Sequence, residues 1–288
     1  MRWQCIRLVL CLLFAGGNFA HADSPFIQEP LRVLLPRDLG TIEALLTRPR
    51  GPGHYPLALI SHGSPRSGAE RSLMRPSAML PQALEFARRG WAALIVMRRG
   101  YGNSDGGWAE TYGACSNPNY IAAGEAGAED LRLSLEMVSH RPDIDPTRMI
   151  AVGVSAGGFA TVALTTDPPP GLVAAISFAG GRGSLKADAD CRPDRLIAAF
   201  RAFGKRSRTP MLWVYAANDH FFGPELTEKL RAAFATSGGH VDFVAAPAFG
   251  NEGHNLFSAA GIPVWTSYVD AFLQKRNLVL RDNLLPLR

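Results

Sequence analysis

The sequence predicts an α/β domain: a mostly parallel central sheet with helices on both faces and a small lid-like insertion. Three observations predict it. Short, continuous apolar runs at 57–61, 91–96 and 172–178 read as strands buried on both faces. Stretches with helical spacing alternate with them, which calls for crossover connections and a parallel sheet. The residues with chemical potential all follow the carboxyl ends of strands, where open α/β sheets collect their ligands.

The elements follow in order. Runs 31–35 and 42–46 read as two early strands joined in a hairpin. The apolar run 57–61 is the first fully buried strand, and 77–89 has helical spacing that ends at Gly90. The next buried strand is 91–96. Asn119 is placed to cap a long helix through about His140, which Arg141-Pro142 ends. Strands are expected at 148–152, 172–178, 211–216 and 241–244. Helices are expected at about 224–236 and 262–274.

Composition suits this architecture. A chain of 288 residues with 47% hydrophobic and 19% charged residues has ample material for one large core and excludes disorder. The N-terminal residues read as a targeting segment. Arg2 and Arg7 give a positive start, 8–15 is apolar, and Ala20-His21-Ala22 is an A-x-A cleavage site. The apolar run is too short to span a bilayer. The expectation is a signal peptide at 1–22, then a single domain at 23–288, exported to the periplasm or the extracellular space without a membrane span. A membrane anchor or a buried first helix is the alternative. Loss of Arg2 and Arg7 lowers the formal charge from +5 to +3. So small a balance, with no basic stripe interleaved with aromatics, argues against nucleic-acid binding. Cys5 and Cys11 would leave with the signal. Cys115 and Cys191 remain, a disulfide candidate in an exported protein, with two free thiols as the alternative. No His or Cys lies at ligand spacing near either one, so no metal site is expected.

Gly153-Val154-Ser155-Ala156-Gly157 reads G-x-S-x-G, between a strand-like run and a helix-like run. A serine there must occupy a very tight turn. The flanking glycines let the two backbones approach, and the turn presents the hydroxyl at the top of the sheet beside a helix N-terminus. A serine hydroxyl is a weak nucleophile near neutral pH, so it needs a base, and the base needs an orienting carboxylate. Asp219 directly follows the 211–216 strand, and His254 follows the last strand between glycine-rich neighbours. The order Ser, Asp, His leaves room for one strand–helix passage in each gap. The competing reading of Asp219 is a turn residue capping the next helix. Glu225 and Asp242 are weaker candidates, since neither sits at a carboxyl strand end.

The tetrahedral intermediate of acyl transfer needs preorganised donors. The amide of Ala156 is one. The loop Ser61-His62-Gly63-Ser64-Pro65 supplies the other, from Ser64 or else Gly63, because Pro65 has no amide hydrogen. His62, Tyr101, Trp108, His220 and Phe221 are the candidates to line the substrate pocket.

With these residues the chain resembles the α/β-hydrolase superfamily, within its dienelactone-hydrolase-like and prolyl-oligopeptidase-like serine hydrolases. The resemblance covers about 57–274. It rests on His62-Gly63, the Arg98-Arg99-Gly100-Tyr101-Gly102-Asn103-Ser104 loop after the fourth strand, the Ser155 turn, Asp219 and His254. It departs from true dienelactone hydrolases, which carry cysteine at the elbow, and from oligopeptidases, which carry a propeller domain. The resemblance implies acylation of Ser155 and hydrolysis of the acyl-enzyme by water activated by His254, with no cofactor and no metal.

The segment 180–209 is long for a crossover loop and is expected to form a small lid over Ser155. Its basic residues, Arg182 and Lys186 among them, read first as a solvated face and second as contacts to an anionic substrate. A Cys115–Cys191 bridge would pin this lid. The leading expectation is a carboxylic-ester hydrolase acting on a small-molecule ester. A peptidase or amidase acting on a short peptide is the alternative, and a non-catalytic binding protein on the same fold is the third.

Overall fold

A computed structural model describes residues 24–36 and 38–287; the expected signal peptide lies outside them. Eight strands form one sheet: β1 (Phe26–Leu34), β2 (Thr41–Pro49), β3 (Tyr55–Ser61), β4 (Ala92–Val96), β5 (Ile144–Val154), β6 (Leu172–Phe178), β9 (Met211–Ala216) and β10 (Val241–Ala246). A separate two-stranded ribbon is β7 (Ser184–Lys186) with β8 (Ala189–Asp190). The main sheet runs in the order β1-β2-β4-β3-β5-β6-β9-β10. The β1–β2 and β2–β4 pairs are antiparallel and every other pair is parallel.

Alternation along the buried strands divides the core. Leu57 and Leu59 of β3 face one side, and Ala58 and Ile60 face the other. On the first side, helices α2 (Tyr120–Ser139), α3 (Ala156–Leu164), α4 (Pro193–Arg206) and α5 (Pro224–Ala235) bury residues such as Leu131, Phe159, Phe200 and Phe234. On the second side, α1 (Leu80–Arg88) and α6 (Ile262–Lys275) bury Phe86, Trp265 and Phe272. Asn119 caps α2, its side-chain oxygen accepting from the Ala122 amide at 3.0 Å. Among the described residues no helix is long and apolar enough to cross a membrane.

Several boundaries differ from the sequence expectation, each for a physical reason. β1 starts at Phe26 because the whole stretch through Leu34 pairs with β2. β5 starts at Ile144, where Ile144 and Asp145 pair with Tyr55 and Pro56 before an irregularity restores register at Met149. Proline opens the 77–89 stretch as a short 3-10 turn over Pro76–Met79 before α1. The 180–209 segment divides into the β7–β8 ribbon and α4. Helix α4 buries Leu196, Ala199, Phe200 and Phe203 as a crossover helix, so only the first third of the segment stands beside the crevice at the strand ends.

The strand order creates that crevice. The chain leaves β3 for β4 on one side, then crosses to β5 on the other side of β3. The loop after β3 and the turn after β5 therefore face each other at a topological switch point.

Candidate active site

Ser155 sits between β5 and α3 with φ 55° and ψ −122°, a conformation that L-residues adopt only under constraint. The neighbouring glycines explain how the turn closes. A Cβ on Gly153 would lie 2.2 Å from the Gly157 carbonyl oxygen, and a Cβ on Gly157 would lie 2.4 Å from the His62 and Ser61 oxygens. The Ser155 amide donates to Phe178 O at 2.9 Å, while Ser155 O accepts from Phe159 and Gly181 amides. The turn is thus tied to the strand on one side and to the helix below. Ala156 opens α3, so its amide is among those a helix leaves without an internal partner.

Facing this turn is the loop after β3. A Cβ on Gly63 would come within 3.1 Å of the Ser155 Cβ, so any side chain there would crowd the hydroxyl. His62 is buried and braces the loop instead of lining the pocket. Its Nδ1 lies 2.6 Å from Gly63 O, and its Nε2 accepts from the Arg98 amide at 3.2 Å. Burial, then the Arg98 guanidinium, push its pKa down to about 3, which keeps the ring neutral and matches that bonding. Arg98 donates to Ser61 Oγ and His62 O, both at 2.7 Å, and pairs with the buried Glu110. Glu110 also pairs with Arg182 at 2.9 Å. Burial alone would raise the Glu110 carboxyl, but the two guanidiniums outweigh it and hold the pKa at about 2. Tyr101 is fully buried, its Oη 2.9 Å from Ser64 Oγ and accepting from Trp108 Nε1 at 3.0 Å.

The loop after β9 reaches the cavity of Ser155 through Phe221 and Phe222, and the loop after β10 meets it at His254. His254 Nδ1 is 3.1 Å from Asp219 Oδ2 and 3.2 Å from Oδ1. Asp219 is buried, and its Oδ1 also accepts from the amides of Phe221 and Phe222. With Nδ1–H directed at Asp219, Nε2 is the nitrogen left to accept a proton. Phe221 stacks on the imidazole with ring centroids 3.9 Å apart and planes 10° from parallel. No hydrogen bond joins His254 to Ser155 among the described residues; such contacts often tighten only when substrate is bound.

Two residues without a sequence motif, Glu252 and Asn218, hold these loops together. Glu252 Oε1 accepts from the amides of both His220 and His254 at 3.0 Å. Asn218 Oδ1 accepts from the Phe249 amide at 2.8 Å. Their nearness in sequence to His254 and Asp219 was the one available signal.

A cavity of about 100 Å³ opens beside Ser155 and Ala156. Ser64, Trp108, Phe221 and Phe222 line it. Of the five pocket candidates, Trp108 and Phe221 border this cavity. His62 and Tyr101 lie behind the loop that forms its wall. His220 turns away to Asp188, 2.9 Å from its Nδ1, and that hydrogen bond raises its pKa. Cys115 and Cys191 form a disulfide with Cα atoms 5.4 Å apart, tying the loop before α2 to the end of the β7–β8 ribbon.

The model of the X-Pro dipeptidyl-peptidase (S15) family matches residues 40–205, more than half of the 288. The chain belongs to this family. The matched stretch holds Ser155 and ends before Asp219 and His254. Solved structures share the fold. One from Klebsiella pneumoniae, assigned as a dienelactone hydrolase, is 14% identical with a TM-score of 0.58, over 86% of this chain and 99% of that one. A Pyrococcus furiosus esterase is 14% identical with a TM-score of 0.62, over 88% and 91%. A Pyrococcus horikoshii acylaminoacyl peptidase is 15% identical with a TM-score of 0.62, over 91% of this chain and 43% of that one. No curated protein matches. The chain is thus an α/β-hydrolase and, by family, an enzyme of the serine-hydrolase type.

Proposed function

We propose that the protein cleaves carboxylic esters with Ser155 as nucleophile, His254 as general base and Asp219 as its orienting carboxylate. His254 Nε2 takes the Ser155 proton as Oγ attacks the carbonyl carbon. The amides of Ala156 and Ser64, or of Gly63 in place of Ser64, receive the negative oxygen. Collapse expels the alcohol, which leaves with the proton from His254. Water then repeats the sequence against the acyl-enzyme and releases the acid. What supports this reading is the strained Ser155 backbone at the mouth of a small cavity, an amide-bearing loop facing it, and an Asp219–His254 pair whose imidazole stacks on Phe221 of the cavity wall.

Export is part of the proposal. It rests on the signal-like N-terminus and on the Cys115–Cys191 bridge, a bond that persists in oxidising compartments. The family match favours amide hydrolysis as a second reading. Turnover of p-nitrophenyl acetate and butyrate against aminoacyl p-nitroanilides separates the two. We expect the parent to cleave the esters and Ser155→Ala to lose roughly 10⁴-fold or more in kcat. Cleavage of the anilides alone would establish the amidase reading. Equal rates for parent and Ser155→Ala would end both.

A further inference from the structure

The cavity beside Ser155 is lined by three guanidiniums, those of Arg66, Arg71 and Arg182, and among the described residues by no carboxylate. Arg182 is 5% exposed and shares the buried Glu110 with Arg98, so one anion answers two cations there. Its Nε is buried without a hydrogen-bond partner. Arg66 and Arg71 form no ion pair among the described residues. Asp190 feels the charge of Arg66, but the two make no ion pair. Arg182 is buried, Arg71 is half-buried and Arg66 stands exposed at the rim. Buried and half-buried charges are ordinarily matched, so Arg182 and Arg71 give this wall an excess of positive charge, to which Arg66 adds at the cavity mouth.

The guanidiniums are also held in place. Arg71 lies 3.8 Å from the Trp108 ring centroid and Arg182 5.6 Å from it. Arg66 lies 3.6 Å from the Phe221 centroid and donates to Ser184 Oγ at 2.9 Å. Stacking on an aromatic face leaves the edge N–H groups of a guanidinium free and limits the rotamers it can visit. That is the arrangement suited to a planar anion, since a carboxylate accepts two parallel N–H bonds from one guanidinium.

We propose that Arg66 and Arg71, backed by Arg182, form a carboxylate-binding subsite, so that the preferred substrate is an ester bearing a second, free carboxylate. The subsite rests on the Ser155 hydrolase reading for its consequence but not for its existence. It also selects against a peptide amino terminus, because an ammonium placed here would meet guanidiniums and no acid.

The test compares mono(4-nitrophenyl) glutarate with its methyl-capped ester, and 4-acetoxybenzoate with methyl 4-acetoxybenzoate. The first pair places the carboxylate on the acyl side and the second on the leaving group. We expect kcat/KM for the free carboxylate to exceed that of the capped ester roughly ten- to hundredfold in one pair, the scale of a single charge-assisted bond. That ratio should fall at least about tenfold in Arg71→Gln and in Arg66→Gln, and decline with added salt. Arg201→Gln, an exposed change on α4, should leave the ratio intact and controls for net charge. Glutarate binding to Ser155→Ala by calorimetry reads the subsite without catalysis. If no ester is cleaved but glutarate binds and Arg71→Gln abolishes it, the ester-hydrolase reading fails and the subsite stands. Ratios near one in both pairs, or a ratio indifferent to Arg66 and Arg71, overturn the proposal. So does the absence of both turnover and glutarate binding.

Discussion

On one side of Ser155, the loop after β3 leans on charges almost wholly removed from water. Arg98 is 0% exposed and Glu110 1%, and together they hold Ser61, His62 and the Tyr101–Ser64 contact. On the other side, the loops after β9 and β10 are latched by side chains accepting from backbone amides: Asp219 from Phe221 and Phe222, Glu252 from His220 and His254, Asn218 from Phe249. The first wall is fixed by Coulomb attraction in a low dielectric, where removing one partner strands another charge. The second is fixed by several smaller bonds, and those of Glu252 and Asn218 are only part-buried, so water can partly replace them. A donor loop gains from rigidity, because its amides must point at charge before that charge develops. A base must move with its proton, and a latch of modest bonds permits that.

The largest test of this contrast is Glu110→Gln. It leaves Arg98 and Arg182 facing each other, and we expect a loss of about 3–5 kcal/mol at pH 7, read by denaturant unfolding. The pH dependence has a defined sign. The Glu110 carboxyl lies at about 2 in the folded protein against an ordinary 4.5. Its stabilisation is therefore complete above pH 4.5 and fades as pH falls toward 2. The difference between parent and variant should hold steady above pH 4.5 and narrow below it. A constant difference down to pH 2 would mean that the charge of Glu110 is not what holds this wall.

Next comes the disulfide, which closes a sequence separation of 76 and anchors the ribbon beside the cavity. Replacing Cys115 and Cys191 by serine should cost about 2–4 kcal/mol of stability. It should raise KM for small esters more than it lowers kcat, because the cavity rim loosens while Asp219 and His254 keep their contact. A fall in kcat with KM unchanged would instead tie the ribbon to the chemistry.

The smallest effect on stability falls on the base side. Glu252→Ala removes two bonds to amides on the half-exposed wall, and we expect about 1 kcal/mol in unfolding. Activity should respond more, by roughly ten- to hundredfold in kcat, since those amides set where His254 stands. Glu252→Gln keeps an accepting oxygen and should recover most of the loss. If Glu252→Ala behaved as Glu110→Gln does, with a large stability loss, the two walls would not differ in kind.

The legible parts of the molecule were those written in local pattern. Apolar runs and glycine spacing placed the buried strands, and G-x-S-x-G placed a serine between β5 and α3 with the positive φ that such a turn demands. The early hairpin was legible from the runs 31–35 and 42–46, but the extension of β1 back to Phe26 depends on pairing with β2 and was not. His62, Tyr101 and His220 were pocket candidates by neighbourhood in sequence. The structure turns each of them elsewhere, into the Arg98 network or toward Asp188. Arg66 and Arg71 carried no motif and were passed over.

Outside the β7–β8 ribbon and α4 within 180–209, the sequence by itself determined the fold class, the succession of the main-sheet strands and most of their helices, and the chemistry of the residues at strand ends. Those follow from periodicity, turn chemistry and residue type, all of which act over a few positions along the chain. Only the tertiary structure decided which charges share a cavity. Arg66 and Arg71 after β3, Trp108 after β4, Arg182 after β6 and Phe221 after β9 line one small space because the parallel sheet brings the ends of those strands together. Charge balance at that site depends on distances across more than a hundred residues of chain, and local pattern has no means of recording it.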